Sequence, residues 1–387
     1  MRTLKRIGVF LWVCLFLVNS SLFASDKGSF SIEPKMNNGK KWRIGYYEGG
    51  PYSAYQQNLI ALLKGLMELG WIESTEIPPQ EGEQTHELWK WLGTVSKSAY
   101  IEFVQDANYS AEWDEEAQPA MTAAIIERLN TKQDIDLMIV AGTSAGKAMA
   151  NDQHHTPCVI ISTSDPLSAG IIKSIEDSGY DYVHARIDPT RYERQIQIFH
   201  DIIGFQKLGV AYENSEIGIS GGSIDKVKKV AQEEGFEVIS CYTKDNIPDV
   251  KISEDSVKRC FEELIKQADA IYVTLQNGVN SQSIPALVNI ANTSRIPTFS
   301  QEGSQEVQWG FLLSISHASY KYVGQFYAET IAKIFNGAKP RQLNQLFEDP
   351  PKIAINLKTA ETIGYDPSVD VLGAADEIYQ EILTPGQ

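Results

Sequence analysis

Residues Asp136 to Ile175 read DLMIVAGTSAGKAMANDQHHTPCVIISTSDPLSAGIIKSI, two consecutive units of apolar strand, small polar loop and helix. A continuous apolar run such as LMIV or CVII is typical of a strand buried on both faces of a parallel sheet. The loop that follows presents backbone N–H groups, hydroxyls and the positive end of a helix. Ligands of open α/β sheets bind at this edge, outside the carboxyl ends of the strands. The two units therefore predict an α/β fold that binds a small molecule.

The alternation of strand and helix continues on both sides of this stretch. WRIGYYEGG and NLIALLKGLMELGW precede it as a strand and a helix, and KLGVAYENS, FEVISCYT, AIYVTLQNG and IPTFSQEG follow as further strands with helices between them. Such alternation favours parallel sheets with right-handed crossovers. We predict two doubly wound, Rossmann-like lobes joined by a hinge. The first comprises residues 41–186 and about 304–345, and the second residues 187–303 and about 346–387.

The N-terminus predicts export from the cytoplasm. Arg2, Lys5 and Arg6 precede an apolar run, so residues 1–25 are predicted to be a cleaved signal peptide. Its removal takes three positive charges from a chain of 387 residues with a formal net charge of -16, which argues against nucleic-acid binding. The mature cysteines are Cys158, Cys241 and Cys260; a disulfide between the last two and buried free thiols both remain open.

Several motifs resemble one known family. RIGYYEGG, DLMIVAGTSAGKAMA, PCVIISTSDPLSAGIIKS, KLGVAYENSE, DAIYVTLQNGV, IPTFSQEG and INLKTAETIGYDPS are similar to the ABC-transporter substrate-binding protein family with a type-1 periplasmic-binding-protein fold, in the group linked to tryptophan and tyrosine uptake. The resemblance covers most of residues 42 to 380. It implies a monomeric periplasmic receptor, not an enzyme, that closes over an aromatic or hydrophobic amino acid and presents it to an ABC permease. It also implies no cofactor and no metal.

The chain departs from the family pattern in two places. The stretch from Ser74 to Asn130 is longer than the family's, and we leave open whether it caps the cleft or packs behind it. The family commonly has an acidic residue before the Asn that follows the AIYV-type strand, whereas here Gln276 precedes Asn277. A carboxylate for a ligand ammonium is therefore missing at that position, which weakens the prediction of an amino-acid ligand.

Loops after the predicted strands supply the candidate ligand-binding residues. Carboxylate binding is assigned to Thr143–Ser144 and Ser164–Asp165, and one of Tyr46 and Tyr47 is expected to stack on the ligand. Asp165 before a Pro is equally typical of a helix cap. The complete set is Tyr46, Tyr47, Glu48, Tyr52, Thr143, Ser144, Ser164 and Asp165 from the first lobe and Glu213, Asn214, Gln276, Asn277, Gln301 and Glu302 from the second.

Other functions fit parts of the same sequence. A receptor of this architecture can feed a signalling partner instead of a permease, and the sequence does not distinguish the two. Gly142 to Gly146 also matches G-x-S-x-G, which raises a serine hydrolase with Ser144 as nucleophile. That enzyme needs an acid and a His downstream in order, and a tight turn of small residues is the simpler explanation. Nucleobases, short peptides and organic acids remain alternative ligands.

Overall fold

The computed structural model describes residues 25–317, 320–348 and 351–385. The predicted signal peptide, apart from its last residue, lies outside these ranges. Within them, no helix has both the length and the apolar character needed to cross a membrane. The described chain forms two α/β lobes, each built on its own sheet, which confirms the predicted fold class.

The first lobe is a five-stranded parallel sheet with helices on both faces. It contains β1 (Trp42–Glu48), α1 (Ser53–Glu68), α2 (His86–Thr94), β2 (Ile101–Ser110), α3 (Gln118–Thr131), β3 (Leu137–Ala141), α4 (Thr143–Met149), β4 (Cys158–Ile161) and β5 (Val183–Ala185). The strand order is β2-β1-β3-β4-β5. Every residue of β3 and β4 is buried, as their continuous apolar runs predict.

The second lobe is built on a seven-stranded sheet. It contains α5 (Arg191–Ile203), β6 (Lys207–Tyr212), α6 (Glu216–Gly221), α7 (Ile224–Glu234), β7 (Glu237–Tyr242), α8 (Val250–Leu264), β8 (Ala270–Val273), α9 (Ile284–Thr293), β9 (Thr298–Ser300), α10 (Ser304–Gln308) and β10 (Leu313–His317). After α11 (Lys321–Phe335) and a 3-10 turn (Pro340–Gln342), the chain continues with β11 (Pro351–Asn356), α12 (Leu357–Ile363), α13 (Val369–Ala374) and β12 (Ala375–Tyr379). The order is β12-β11-β10-β9-β8-β6-β7, and β10 and β11 pair antiparallel.

The return of the chain to the first lobe occurs later than predicted. Residues 304–317 were expected in the first lobe, but β10 pairs with β9 and β11 of the second sheet. The chain crosses back with α11 and the 3-10 turn, whose Arg341 pairs with Asp177 of the first lobe, and α11 packs on α1 through two glycines. A Cβ on Gly65 would lie 2.9 Å from the carbonyl oxygen of Gly324, and a Cβ on Gly324 would overlap the backbone of Ala61. The absence of side chains thus permits this close helix contact.

The helix predicted after β4 is replaced by a turn. The Asp165 carboxylate accepts hydrogen bonds from the backbone N–H groups of Leu167 (3.1 Å) and Ser168 (2.9 Å), and Gly170 has a positive φ of 73°. The capping interpretation of Asp165 therefore holds, although it caps a turn. In the second lobe, Cys241 and Cys260 form a disulfide between β7 and α8, and Cys158 is a buried free thiol.

Candidate functional site

A cavity lies between the two lobes at the carboxyl ends of their strands. About 600 Å³ of space lies within it, part of which is open to solvent. The first lobe contributes Tyr52, Ala54, Tyr55, Trp113, Thr143, Ser144, Ser162 and Ser164. The second lobe contributes Ile217, Gly218, Gly221, Asp245, Asn246, Leu275, Gln276, Asn277 and Glu302. Ligand in this space would contact both lobes at once.

Half of the residues predicted from loop position line this cavity. They are Tyr52, Thr143, Ser144, Ser164, Gln276, Asn277 and Glu302. Each lies within about four residues of the carboxyl end of a strand, and parallel strands all bring these ends to one edge of the sheet. The other seven predicted residues, Tyr46, Tyr47, Glu48, Asp165, Glu213, Asn214 and Gln301, do not line it.

The expectation that one of Tyr46 and Tyr47 faces the cleft is wrong. Strand β1 lies inside the sheet between β2 and β3, and helices cover both of its faces. Tyr46 therefore packs in the core beside α1, and Tyr47 packs in the core on the opposite face, both fully buried. Their hydroxyls have internal partners, Glu48 for Tyr46 (2.7 Å) and Thr122 for Tyr47 (3.1 Å).

Glu48 is a buried internal acid rather than a cavity residue. Its Oε2 accepts hydrogen bonds from the hydroxyls of Tyr46 (2.7 Å) and Thr85 (2.8 Å). Burial raises the pKa of Glu48 to about 7, and these two hydroxyls only partly offset that rise. The carboxyl group therefore helps to hold the long segment after α1 against the end of β1.

Two further predicted residues hold the loops that form the cavity wall. The side-chain amide of Gln301 accepts from the backbone N–H of Leu275 (3.0 Å) and donates to the carbonyl of Gly221 (2.9 Å). The Glu213 carboxylate accepts from the backbone N–H of Asp245 at 3.0 Å. They act on cavity residues without lining the cavity, whereas Asn214 is exposed to solvent.

Trp113 is a cavity residue that the sequence analysis missed. It comes from the long segment between Ser74 and Asn130, where its backbone N–H donates to the carbonyl of Gly49 (2.8 Å) and its Nε1–H to that of Pro51 (3.0 Å). A Cβ on Gly50 would lie 2.6 Å from the Trp113 ring, so a glycine is needed there. The long segment thus both packs behind the cleft, through α2, and reaches into it.

An aromatic wall results on the first lobe. The rings of Tyr52 and Tyr55 are 5.3 Å apart edge to face, and those of Tyr55 and Trp113 are 6.1 Å apart. The Tyr55 hydroxyl lies against Gly142, where any side chain would clash and where φ is 88°. The sequence signal for Tyr55 was its place in the first turn of a helix that follows a predicted strand.

The second lobe gives the cavity an acidic wall. Burial raises the pKa of Asp245 to about 7 and also raises the pKa of Glu302. The Glu302 carboxylate has a partner, because the Tyr320 hydroxyl donates to its Oε1 at 2.6 Å. Among the described residues that line the cavity, none is a lysine or arginine. Asp245 follows β7, so the loop rule that found Asn277 could also have found it.

Comparison with protein families identifies the chain. The family described as ABC transporter substrate binding protein matches residues 101–379, well over half of the sequence. The chain belongs to this family. Its members and structural neighbours are solute-binding proteins rather than enzymes, and the fold is that of type-1 periplasmic binding proteins.

Individual relatives of this substrate-binding protein agree with that assignment. The tyrosine-binding protein of Clostridioides difficile (strain R20291) is 26% identical over 231 residues, which span 59% of this chain and 63% of the relative. The match thus covers less than two thirds of that relative's length. The structure of an ABC domain in complex with L-Trp from Streptococcus pneumonia covers 88% of this chain and 100% of its own, with a TM-score of 0.65 and 19% identity.

A third relative is a ligand-free, open substrate-binding protein with adhesive properties from Clostridium difficile. It covers 88% of this chain and 100% of its own, with a TM-score of 0.58 and 20% identity. At such identities the two solved structures show a shared fold and nothing finer.

The hydrolase alternative has no support in this substrate-binding protein. Ser144 lines the cavity, but none of the described cavity residues is a histidine that could activate it. The imidazole of His184 is buried and bonded to the carbonyl of Asn344 at 2.9 Å. Gly142 and Gly146 have packing roles, since a Cβ on Gly146 would lie 2.9 Å from Ile160. The G-x-S-x-G match reflects a tight strand-to-helix turn.

Proposed function

We propose that this protein is the receptor of an ABC importer and binds an aromatic or other hydrophobic amino acid between its lobes. The observation that carries the proposal is the composition of the cavity. One wall presents three aromatic rings and several hydroxyls, and the opposite wall presents carboxyl and amide groups. An aromatic amino acid has a matching division into a flat apolar side chain and a charged end.

The aromatic wall supports a flat ligand side chain. Tyr52, Tyr55 and Trp113 contact one another in tilted and edge-to-face geometries, which leaves ring faces for an additional aromatic group. Stacking of this kind contributes about 0.5–1.5 kcal/mol per pair beyond the area that it buries. The rings of Tyr52 and Tyr55 are themselves held by the cores of the first lobe, so little side-chain freedom is lost on binding.

Hydroxyl groups support the carboxylate end. Thr143, Ser144, Ser162 and Ser164 follow the neighbouring strands β3 and β4 and all line the cavity. Because α4 has only seven residues, we assign the carboxylate to these hydroxyls and not to a helix dipole. Neutral donors of this type can bind a carboxylate, and Arg186 and Arg191 line the adjoining pocket that shares Ser162 and Ser164.

Contacts across the cleft support binding by lobe closure. Lys147 of α4 pairs with Glu216 of α6, and the Ser220 hydroxyl donates to the carbonyl of Asp165 at 3.2 Å. Both contacts join loops that flank the cavity, one from each lobe. Their formation would accompany closure over ligand, and hinge closure of two domains is a common way to remove a ligand from water.

Export of the protein is supported by the disulfide. Cys241 and Cys260 are bonded, and structural disulfides persist mainly in oxidising compartments outside the cytoplasm. Together with family membership, this favours a periplasmic receptor that delivers its ligand to an inner-membrane ABC permease. We expect it to act as a monomer.

Thermal unfolding against a panel of ligands tests the proposal. The protein without residues 1–25 is heated with each of the twenty amino acids, nucleobases and organic acids. A ligand at 100 times its dissociation constant adds about 2.7 kcal/mol to the free energy of unfolding. We expect tryptophan, tyrosine or phenylalanine to raise the midpoint with increasing concentration. Any co-purified ligand is first removed by unfolding and refolding the protein. If only compounds of a different chemical class then raise the unfolding midpoint, the ligand assignment is wrong.

Substitutions then test the cavity itself. Asn277→Ala and Ser164→Ala should each weaken binding of the amino acid found in the panel without lowering the unfolding midpoint of the free protein by much. Asn214→Ala is the matched control, because Asn214 follows a strand in the same way but is exposed and outside the cavity. Normal affinity in both cavity variants would contradict the site.

A further inference from the structure

Resting on the proposed function, we infer that Asp245 is the residue that binds the ammonium group of the ligand. Asp245 follows β7, lines the cavity and is 8% exposed. Its Oδ1 accepts the backbone N–H of Asn277 at 2.7 Å, and its own N–H donates to Glu213 at 3.0 Å. The carboxyl group is therefore fixed in position between the loops after β6, β7 and β8.

In the part of the chain that the structure describes, no lysine, arginine or histidine is among the main charged neighbours of this group. The charged side chains that act on Asp245 are Glu213, from the loop after β6, and Glu115, from the segment that precedes α3. Both are acidic, and Tyr55 on the opposite wall is the other titratable neighbour. Burial is the main reason that the pKa of Asp245 rises to about 7, and the acidic neighbours add to it. A ligand cation would supply the missing counter-charge.

Asn277 provides an independent sign of a bound polar group. Its side chain is 5% exposed, lines the same cavity, and its Nδ2 is a buried donor with no hydrogen-bond partner among the described residues. Buried donors in native proteins are nearly always satisfied. An acceptor from the ligand, such as a carboxylate oxygen, would complete it. Asp245 and Asn277 thus place a carboxyl group and an unsatisfied donor side by side for polar groups of one α-amino acid, whose carboxylate also contacts the hydroxyls of the first lobe.

The other polar groups of this wall are already engaged. The amide of Gln276 accepts from the Thr243 hydroxyl at 2.7 Å and donates to the carbonyl of Ala211 and the hydroxyl of Thr274, both at 2.8 Å. Glu302 accepts from Tyr320. Glu302 thus has a side-chain donor. Asp245 faces the same cavity, and among the described residues no side chain donates a hydrogen bond to its carboxylate.

Paired ligands test this assignment. L-Tryptophan, L-tyrosine and L-phenylalanine are each compared with the analogue that lacks the amino group, for example indole-3-propionate for tryptophan, by calorimetric titration. The wild type should prefer the amino acid by at least about 30-fold, the scale expected for a buried charge pair. Asp245→Asn should lose at least about 30-fold in affinity for the amino acid and bind the deaminated analogue no more weakly than the wild type. Retained binding of the analogue also shows that the variant is folded.

Three results would overturn the inference, and they differ from one another. If Asp245→Asn keeps the preference for the amino acid, the ammonium does not bind there. If Glu302→Gln abolishes the preference instead, the ammonium binds at the other carboxyl group. In both cases the proposed function stands. If none of the three amino acids binds the wild type, the proposed function fails and the inference fails with it. Asp225→Asn, an exposed acid on α7, is the control for a general loss of charge.

Discussion

Replacement of Glu48 by Gln should remove a pH dependence from the stability of the protein while leaving ligand binding intact. Glu48 is 2% exposed and its Oε2 accepts from Tyr46 and Thr85. Gln has the same shape, and its carbonyl oxygen can accept both hydrogen bonds. Since Gln cannot ionise, the variant isolates the cost of burying a charge at this position.

The magnitude follows from the pKa of Glu48, which rises from its usual 4.5 to about 7 because of burial. The folded state keeps its proton through this interval while the unfolded state loses it, so stability falls as pH rises from about 4.5 to about 7. At about 1.4 kcal/mol per pKa unit, the wild type should lose roughly 2.5 kcal/mol relative to Glu48→Gln between pH 5 and pH 8.

Urea unfolding of both proteins at pH 5, 6, 7 and 8 measures this difference directly. Comparing the two proteins cancels the contributions of other buried acids such as Asp245 and Glu306, whose pKa values are also raised, to about 7 and about 8. Glu127→Gln, at an exposed position on α3, should run parallel to the wild type. A difference between wild type and Glu48→Gln that is constant with pH would refute the reasoning. A large loss of ligand affinity in this variant would place Glu48 in the cavity after all.

Three further predictions concern the cleft and the contact between α1 and α11. Trp113→Ala should lower the affinity for an aromatic ligand by about tenfold or more in a calorimetric titration, because a stacking partner is lost. The affinity for an aliphatic amino acid should fall by less. Ligand affinity should rise with pH up to about 7 and then level off, since the ammonium requires ionised Asp245; Asp245→Asn should lack this slope in titrations from pH 5.5 to 8. Gly324→Ala should lower the free energy of unfolding by about 1–3 kcal/mol in urea, because its Cβ would overlap Ala61. Gly373→Ala, where a Cβ would contact nothing within 4 Å, should not lower it, because Ala favours a helix over Gly by up to about 1 kcal/mol.

Loop position after a strand was the most successful predictor of the site. It placed Tyr52, Ser164, Asn277 and Glu302 in one cavity although they are far apart in the sequence. The rule works because parallel strands with right-handed crossovers bring all their carboxyl ends to the same edge. It fails at Asn214, which obeys the rule and yet points into solvent.

The departures from the family pattern were resolved only by three-dimensional proximity. The sequence showed that position 276 lacks an acid, which argued against an amino-acid ligand. In the folded protein the loop after β7 places Asp245 within 2.7 Å of the backbone of Asn277. Likewise, Trp113 reaches the cavity only because the extra segment folds over the two glycines after β1. Both contacts join residues far apart in the sequence, although Asp245 itself follows a strand.

The sequence by itself determined the fold class, the strands with continuous apolar runs such as β3 and β4, and the edge of the sheets at which the cavity lies. These depend on local periodicity and on chain geometry that every parallel sheet shares. Only the tertiary structure decided that both Tyr46 and Tyr47 are core residues, that β10 belongs to the second sheet, and that Asp245 faces the cavity. Those outcomes depend on which elements cover each strand, and that is set by contacts between residues far apart in the chain.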